Sequence, residues 1–304
     1  MVRAEPARGG GALSTAPRAA QTETEAADAH PLAAELRAAC DAARRAGAAA
    51  MRFYGTAVAV AKEGGSPVTE ADHAANRVIL HALRAAFPGD AVLSEESADS
   101  PERLGAERVW IVDPLDGTRE FLAGNGEFAV MIGLAVEGRA VLGVVYQPAA
   151  DLLLYAAEGA GTWMRTGDDA PVRLRCRPAD PAALRLVGSR SHPDPLLARV
   201  TEALGITDVR PSGSVGVKCG LIVRGERDLY VHPGAHLSEW DTCAPEVLVR
   251  EAGGTVCGCG GEPLRYNRPR PVQPHGIVAC GPGAVDEVLA CVVPLYRAAS
   301  AGEP

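Results

Sequence analysis

Several stretches of this chain place carboxylates where one element ends and another begins. Glu95 and Glu96 follow the short apolar run "AVL", and Asp113 and Asp116 close the run "VWIVDPLDGT". Asp72 falls in the first turn of a helix that opens at Thr69, and Asp241 follows Trp240 and opens "TCAPEVLVREA". Carboxylates gathered on apolar walls repel one another, because a poorly solvated cleft disfavours their joint ionisation. A divalent cation removes that repulsion. Mg²⁺ is the hard-oxygen candidate, taking carboxylates, a backbone carbonyl and several waters in octahedral geometry. Two such ions about 4 Å apart can hold both the attacking and the leaving oxygen of a phosphoryl displacement. Pro114 limits the backbone between the two aspartates, so that they converge. Gly117 lets a phosphate come close, and the following amides can donate to it as at a helix start.

Each acid also has a purely structural use. Asp116 before a glycine suits a turn, and Asp241 suits an N-cap. Thr69 and Asp72 in "TEAD" match a capping box, and Glu95 and Glu96 suit a solvated loop. The joint order of "SEES", "DPLDGT" and "EWDTCAPE…EAGG" is what points to one site. Other motifs fall away on inspection. "LDGT" evokes phosphatases with an aspartate nucleophile in D-x-D-G-T, but Pro114 stands where that nucleophile would be. "GNGEFA" fits the loose dinucleotide fingerprint, yet a β-like run follows where a helix should begin. "GSRSH" and "SGSVG" miss the G-x-S-x-G elbow. His232 and His236 have i, i+4 spacing, but Pro233 and Gly234 lie between them and no H-E-x-x-H exists.

The elements that must position these acids are legible in outline. Residues 1–29 are rich in Ala, Gly, Pro and polar residues without periodicity, which reads as a disordered tail. Apolar positions predict a helix over 31–54 and a second from Glu70 to Phe87, closed by Pro88-Gly89. From Phe128, "FAVMIGLAV", "AVLGVVY" and "LLLYAA" read as an antiparallel meander. After Val172, strand-like runs alternate with helical ones, including an apolar helix around Lys218, which favours an α/β half. The expected division is therefore an N-terminal α+β half over 30–172 and a C-terminal α/β half over 173–304, with a cleft between them.

Composition narrows the partners. At 304 residues the chain can bury a large core, and its formal net charge of −8 disfavours binding to nucleic-acid polymers or anionic membranes. The eight cysteines are scattered without a CxxC pair, which suits small buried residues better than a zinc or disulfide framework. The start lacks an apolar signal core and no run nears the ~18 residues of a membrane span. A soluble cytoplasmic protein is expected.

"WIVDPLDGTREF" with "WDTCAPEVLVREAGG" resembles the two signatures of the inositol monophosphatase superfamily, phosphatases that depend on Mg²⁺ and are sensitive to lithium. "SPVTEAD", "VLSEES", "GVVYQP", "SRSH", "GVKC" and "GEPLRYN" are most similar to its 3′(2′),5′-bisphosphate nucleotidase branch, of the CysQ type, over roughly residues 32–295. The resemblance implies a layered α/β/α/β/α sandwich and two to three Mg²⁺ ions. By matching positions, Glu95, Asp113 and the carbonyl of Leu115 would hold one ion. Asp113, Asp116 and Asp241 would hold a second, and Glu95 would reach a third through water. Thr118 and Asp72 would form the dyad that takes a proton from the attacking water, with Gly117 and Thr118 on the scissile phosphate. Lys62 would precede the loop "EGGSP" that closes on the metals, and His192, Ser214 and Lys218 would approach the substrate. A bland use of Lys218 would lay its stem on apolar surface with the ammonium in water. The branch usually has Lys after "GT", where this chain has Arg119. The implied activity is hydrolysis of the 3′-phosphate of adenosine 3′,5′-bisphosphate to AMP, with the sulfated analogue as a second substrate. Inositol monophosphate, fructose 1,6-bisphosphate and histidinol phosphate are rival substrates, and a non-catalytic phosphate-binding regulator is a rival role. The resemblance also leaves room for a homodimer.

Overall fold

The computed structural model describes residues 30–61, 67–191, 194–234 and 237–301. The expectations for the 1–29 tail, Lys62, His192 and His236 fall outside these residues. Helix α1 (Ala33–Met51) and helix α2 (Glu70–Ala86) pack together over one face of a seven-stranded sheet. Its strands are β3 (Ala91–Ser94), β4 (Arg108–Asp116), β5 (Ala129–Val136), β6 (Arg139–Gln147), β7 (Leu152–Ala157), β8 (Gly161–Thr166) and β9 (Val172–Leu174), in that spatial order. Only β3 and β4 run parallel, and the rest form the expected meander. Two-residue strands β1 (Val60–Ala61) and β2 (Pro67–Val68) pair before α2.

The runs in β4, β5 and β6 are almost continuously apolar because the sheet is covered on both faces. Trp110, Val112 and Ile132 face α1 and α2, while Ile111 and Met131 face a second helical layer. That layer holds α5 (Val215–Val223) and α6 (Glu239–Glu251). Beneath it lies a five-stranded sheet of β10 (Arg185–Ser189), β11 (Asp208–Ser212), β12 (Leu229–His232), β14 (Thr255–Cys257) and β16 (Ile277–Cys280). Tyr230 and Ile277 turn toward the middle layer, whereas Leu229 and Val278 turn to the outer core with α4 (Pro195–Ala203) and α7 (Val285–Ser300). Short strands β13 (Leu237–Ser238) and β15 (Val272–Gln273) pair just before α6, and α3 (Thr118–Ala123) follows β4. The result is the five-layered α/β/α/β/α sandwich.

Some details differ from the sequence reading. Helix α1 ends at Met51 rather than at 54, and Tyr54 turns its ring against Phe121 and Phe128, 5.3 Å from each. Strand β11 escapes a pattern search, because "DVRPS" alternates charge with Val and carries a proline. That composition suits the sheet edge it occupies, where an unpaired N–H side tolerates proline.

Candidate metal and phosphate site

On a regular strand, residues three apart face opposite sides of the sheet. Asp113 and Asp116 escape that rule because β4 carries one extra residue against β5: Asp113 pairs with Met131, and Asp116 with Ala129. Three steps on β4 thus match two on β5, and this bulge brings both carboxylates to one side. Pro114, which has no N–H for the ladder, sits within the bulge. Gly117 follows with φ +96° and caps α3, and a Cβ there would stand 3.0 Å from the Glu127 carbonyl. Only glycine fits that conformation without strain.

Asp241 arrives from the other side of the cavity. It is the third residue of α6, and its Oδ2 accepts from the Ser238 amide at 2.6 Å in a capping box. The N-cap is therefore Ser238, which corrects the expected use of Asp241 as the N-cap: the acid lies three residues further on, inside the helix. One oxygen each from Asp113, Asp116 and Asp241 lie within 4.8 Å of one another. Glu95 follows β3, its amide bonded to the Val112 carbonyl, and lines the same cavity. Glu96 does not line it and lies 4.0 Å from His73.

The electrostatics follow from this crowding. Burial, then Glu95, Asp116 and Asp241, push the Asp113 carboxyl well above the usual range. Burial, Asp116 and Glu95 do the same to Asp241. Asp116 is raised by burial but drawn back by Lys218 and by hydrogen bonds from Ser214 and Gly216. Acids in this state cannot all ionise without added positive charge. Among the described residues the clustered donors are all carboxylate oxygens, with Leu115 lining the same cavity, so the site fits a hard divalent cation.

Asp72 performs two tasks at once. Its Oδ2 accepts from the Thr69 amide at 2.8 Å and the Thr69 hydroxyl at 2.7 Å, completing the capping box that opens α2. Its Oδ1 accepts from the Thr118 hydroxyl at 3.0 Å. The residue is only 2% exposed, so the geometry is held by packing as well.

Glu95, Asp113, Asp116, Asp241 and Thr118 open on one cavity of about 770 Å³ that also takes in Gly117, Ser214 and Lys218, with Asp72 behind Thr118. Ser214 has φ +53°, unusual for a residue with a side chain, and its hydroxyl donates to Asp116 and accepts from the Val217 amide. Lys218 is 4% exposed, its ammonium 5.1 Å above the Tyr230 ring, and burial lowers its affinity for a proton. The bland placement of that ammonium in open water does not describe it. Arg119 is on the rim, with a guanidinium nitrogen 3.3 Å from the Ser191 carbonyl. Glu120, Tyr230 and Trp240 also line the cavity and were not singled out by sequence. Glu120 in "GTREF" and Trp240 in "WDTCAPEVLVREAGG" stood within recognised motifs, whereas Tyr230 carried no such signal.

Layered α/β architecture, a buried carboxylate cluster at a strand bulge and a hydroxyl–carboxylate pair beside it define a class of metal-dependent phosphatases. The model of the inositol monophosphatase family matches residues 32–296, and the chain belongs to that family. It is 40% identical over 235 residues to the 3′(2′),5′-bisphosphate nucleotidase CysQ of Salmonella typhimurium, an alignment covering 76% of this chain and 93% of the relative. It is 38% identical over 217 residues to a 3′-phosphoadenosine 5′-phosphate phosphatase of Mycobacterium leprae, covering 68% of this chain and 75% of the relative. The crystal structure of CysQ from Bacteroides thetaiotaomicron superposes with a TM-score of 0.71 at 32% identity, over 81% of this chain and 97% of that one. The family is metal-dependent. Among the described residues, no helix is long and apolar enough to cross a membrane.

Proposed function

We propose that this protein is a Mg²⁺-dependent phosphomonoesterase that hydrolyses the 3′-phosphate of adenosine 3′,5′-bisphosphate to AMP and phosphate, with the sulfated analogue as a second substrate. Glu95, Asp113, Asp116, Asp241 and the Leu115 carbonyl would hold the ions. Bound there, Mg²⁺ neutralises phosphate charge and makes the attacking water more acidic. Thr118 gives its own proton to Asp72 Oδ1, so its lone pairs are free to take the proton of that water. Gly117 and Thr118 receive the scissile phosphate at the start of α3.

The observation that carries the substrate choice is Lys218. It is a buried lysine on the wall of the acid-lined cavity, which supports a role in binding a second phosphate that inositol 1-phosphate lacks. Relatives named for this nucleotide support the same reading. Ser214 orients Asp116 beside it. All eight cysteines are free thiols, which supports a reducing cytoplasm as the compartment.

A turnover panel with Mg²⁺ tests the assignment, using adenosine 3′,5′-bisphosphate, inositol 1-phosphate, fructose 1,6-bisphosphate and histidinol phosphate. The bisphosphate nucleotide is expected to give the highest kcat/KM. A higher value on any of the other three refutes the substrate, and full turnover in excess chelator refutes the metal.

A further inference from the structure

Asp113 and Asp116 belong to the seven-stranded sheet, whereas Asp241 rides on a helix laid across it. The distance between these acids is therefore set by how deeply α6 sits on the sheet. Two glycines permit its depth. Gly133 of β5 and Gly143 of β6 are register partners, and Gly133 also pairs with Ile111 of β4, two residues before Asp113. At that patch the sheet offers no side chain, and α6 rests on bare backbone.

The contact is tight. A Cβ on Gly143 would stand 2.3 Å from the Ala244 carbonyl oxygen, and one on Gly133 would stand 2.5 Å from Cys243 Sγ. Cys243 and Ala244 come two and three residues after Asp241, which is less than one helical turn at about 1.5 Å rise per residue. A displacement at the contact is thus passed almost directly to the Asp241 carboxylate.

We propose that Gly133 and Gly143 are positioning residues for the metal site, holding α6 at the depth where Asp241 meets Asp113 and Asp116. This rests on reading the acid cluster as a Mg²⁺ site. Non-bonded atoms settle near 3.5 Å, so an alanine at position 143 must drive Ala244 outward by roughly 1 Å. Mg²⁺ holds oxygens at about 2.0–2.1 Å in near-ideal octahedral geometry, and a sound site tolerates about 0.2 Å. The displacement exceeds that tolerance several-fold. The two clashes also differ in kind. At position 143 the obstacle is backbone, which no side-chain exchange removes. At position 133 the two contacts under 3 Å are both to the Cys243 side chain, Sγ at 2.5 Å and Cβ at 2.9 Å. Cys243→Gly removes them, leaving the Ala244 nitrogen at 3.1 Å, a contact a few tenths of an ångström can relieve.

Mg²⁺ alone is titrated calorimetrically into the full chain and into Gly133→Ala, Gly143→Ala, Cys243→Gly, Gly133→Ala/Cys243→Gly and Gly143→Ala/Cys243→Gly, with a thermal melt of each. Both single alanine variants are expected to bind Mg²⁺ at least about tenfold more weakly, as losses of supporting groups around metal ligands do. Gly133→Ala/Cys243→Gly should return to within about twofold of Cys243→Gly, the scatter expected of independent sites. Gly143→Ala/Cys243→Gly should stay weak. Parental Mg²⁺ affinity in both alanine variants overturns the proposal, as does failure of Cys243→Gly to rescue Gly133→Ala. If Gly143→Ala does not fold, the Gly133 and Cys243 pair decides the question by itself. Failure of the parent chain to take up Mg²⁺ overturns the metal reading and this proposal with it, whereas parental affinity in the variants overturns this proposal alone.

Discussion

Replacing Asp72 by Asn separates a structural from a chemical role at a single atom. Asp72 Oδ2 caps α2 through Thr69, and Asp72 Oδ1 accepts the Thr118 proton. An asparagine has one acceptor oxygen and one donor nitrogen. If its oxygen stays on the Thr69 amide, its NH₂ faces Thr118 and reverses that hydrogen bond, so Thr118 can no longer pass its proton on. Loss of a cap costs about 1 kcal/mol. In a chain of this size that lowers Tm by about 2–4 °C or less. Loss of the proton acceptor should lower kcat by roughly a hundredfold or more, about 2.7 kcal/mol in the barrier. Thr69→Ala supplies the control. It removes the hydroxyl that accepts from the Ala71 amide at 3.1 Å, and so weakens the same helix start, but leaves Thr118 bonded to Asp72. Steady-state kcat on adenosine 3′,5′-bisphosphate beside a thermal melt of each variant makes the comparison. Asp72→Asn should lose far more kcat than Thr69→Ala at a similar Tm. Parental kcat in Asp72→Asn, or equal kcat losses in both, would refute the reasoning and leave Asp72 as a helix cap.

Two further outcomes are expected. The Asp113 carboxyl is raised in the folded chain by burial and by its acidic neighbours, so the folded state binds more protons than the unfolded one. Stability without metal should then fall as pH rises from the ordinary carboxylate range, near 4, toward the raised value. Asp113→Asn should accordingly melt higher than the parent in chelator at neutral pH while losing the rise that Mg²⁺ gives the parent; an Asp113→Asn that melts lower in chelator contradicts this. Lys218→Ala removes one charge-assisted contact, typically worth ~1.5–3 kcal/mol, and should lower kcat/KM for adenosine 3′,5′-bisphosphate by roughly ten- to a hundredfold. Turnover of inositol 1-phosphate should barely change, and equal losses on both substrates would take Lys218 out of the substrate site.

The acids are legible in the sequence because each stands at an element end inside a dense local signature. The reasons for their convergence are less legible. Pro114 suggests a stiff connection between Asp113 and Asp116, but the decisive feature is the register of β4 against β5, which no local pattern encodes. Capping and proton transfer look like rival uses of Asp72 in the sequence. In the fold they are compatible, because a carboxylate has two oxygens. Ser238 as the true N-cap of α6 follows from a local S-x-x-D pairing with Asp241, the same pattern as Thr69 with Asp72, whereas the bare patch of Gly133 and Gly143 depends on Cys243 and Ala244 far along the chain. Lys218 is readable as part of an apolar helix, yet only the packing of α5 against Tyr230 shows that its ammonium is buried.

One arrangement recurs at all the aspartates of the site and explains how mutually repelling groups are held in place. Asp113 Oδ1 accepts from the Leu115 amide at 2.9 Å, Asp116 Oδ2 from the Gly216 amide at 2.9 Å, and Asp241 Oδ2 from the Ser238 amide at 2.6 Å. Asp72 Oδ2 accepts from the Thr69 amide at 2.8 Å. Each carboxylate commits one oxygen to a backbone N–H at a strand bulge or helix start, where such donors lack a regular ladder or helix partner. The commitment restricts how each carboxylate can turn: Asp72 presents its other oxygen to Thr118, and Asp113, Asp116 and Asp241 each place one oxygen in the acid cluster. Holding charge-bearing groups in place before substrate arrives avoids reorganisation during the reaction. The cost is repulsion in the metal-free fold, and the same amides that orient the acids offset part of it, since hydrogen bonds to an ionised carboxylate favour its charged form.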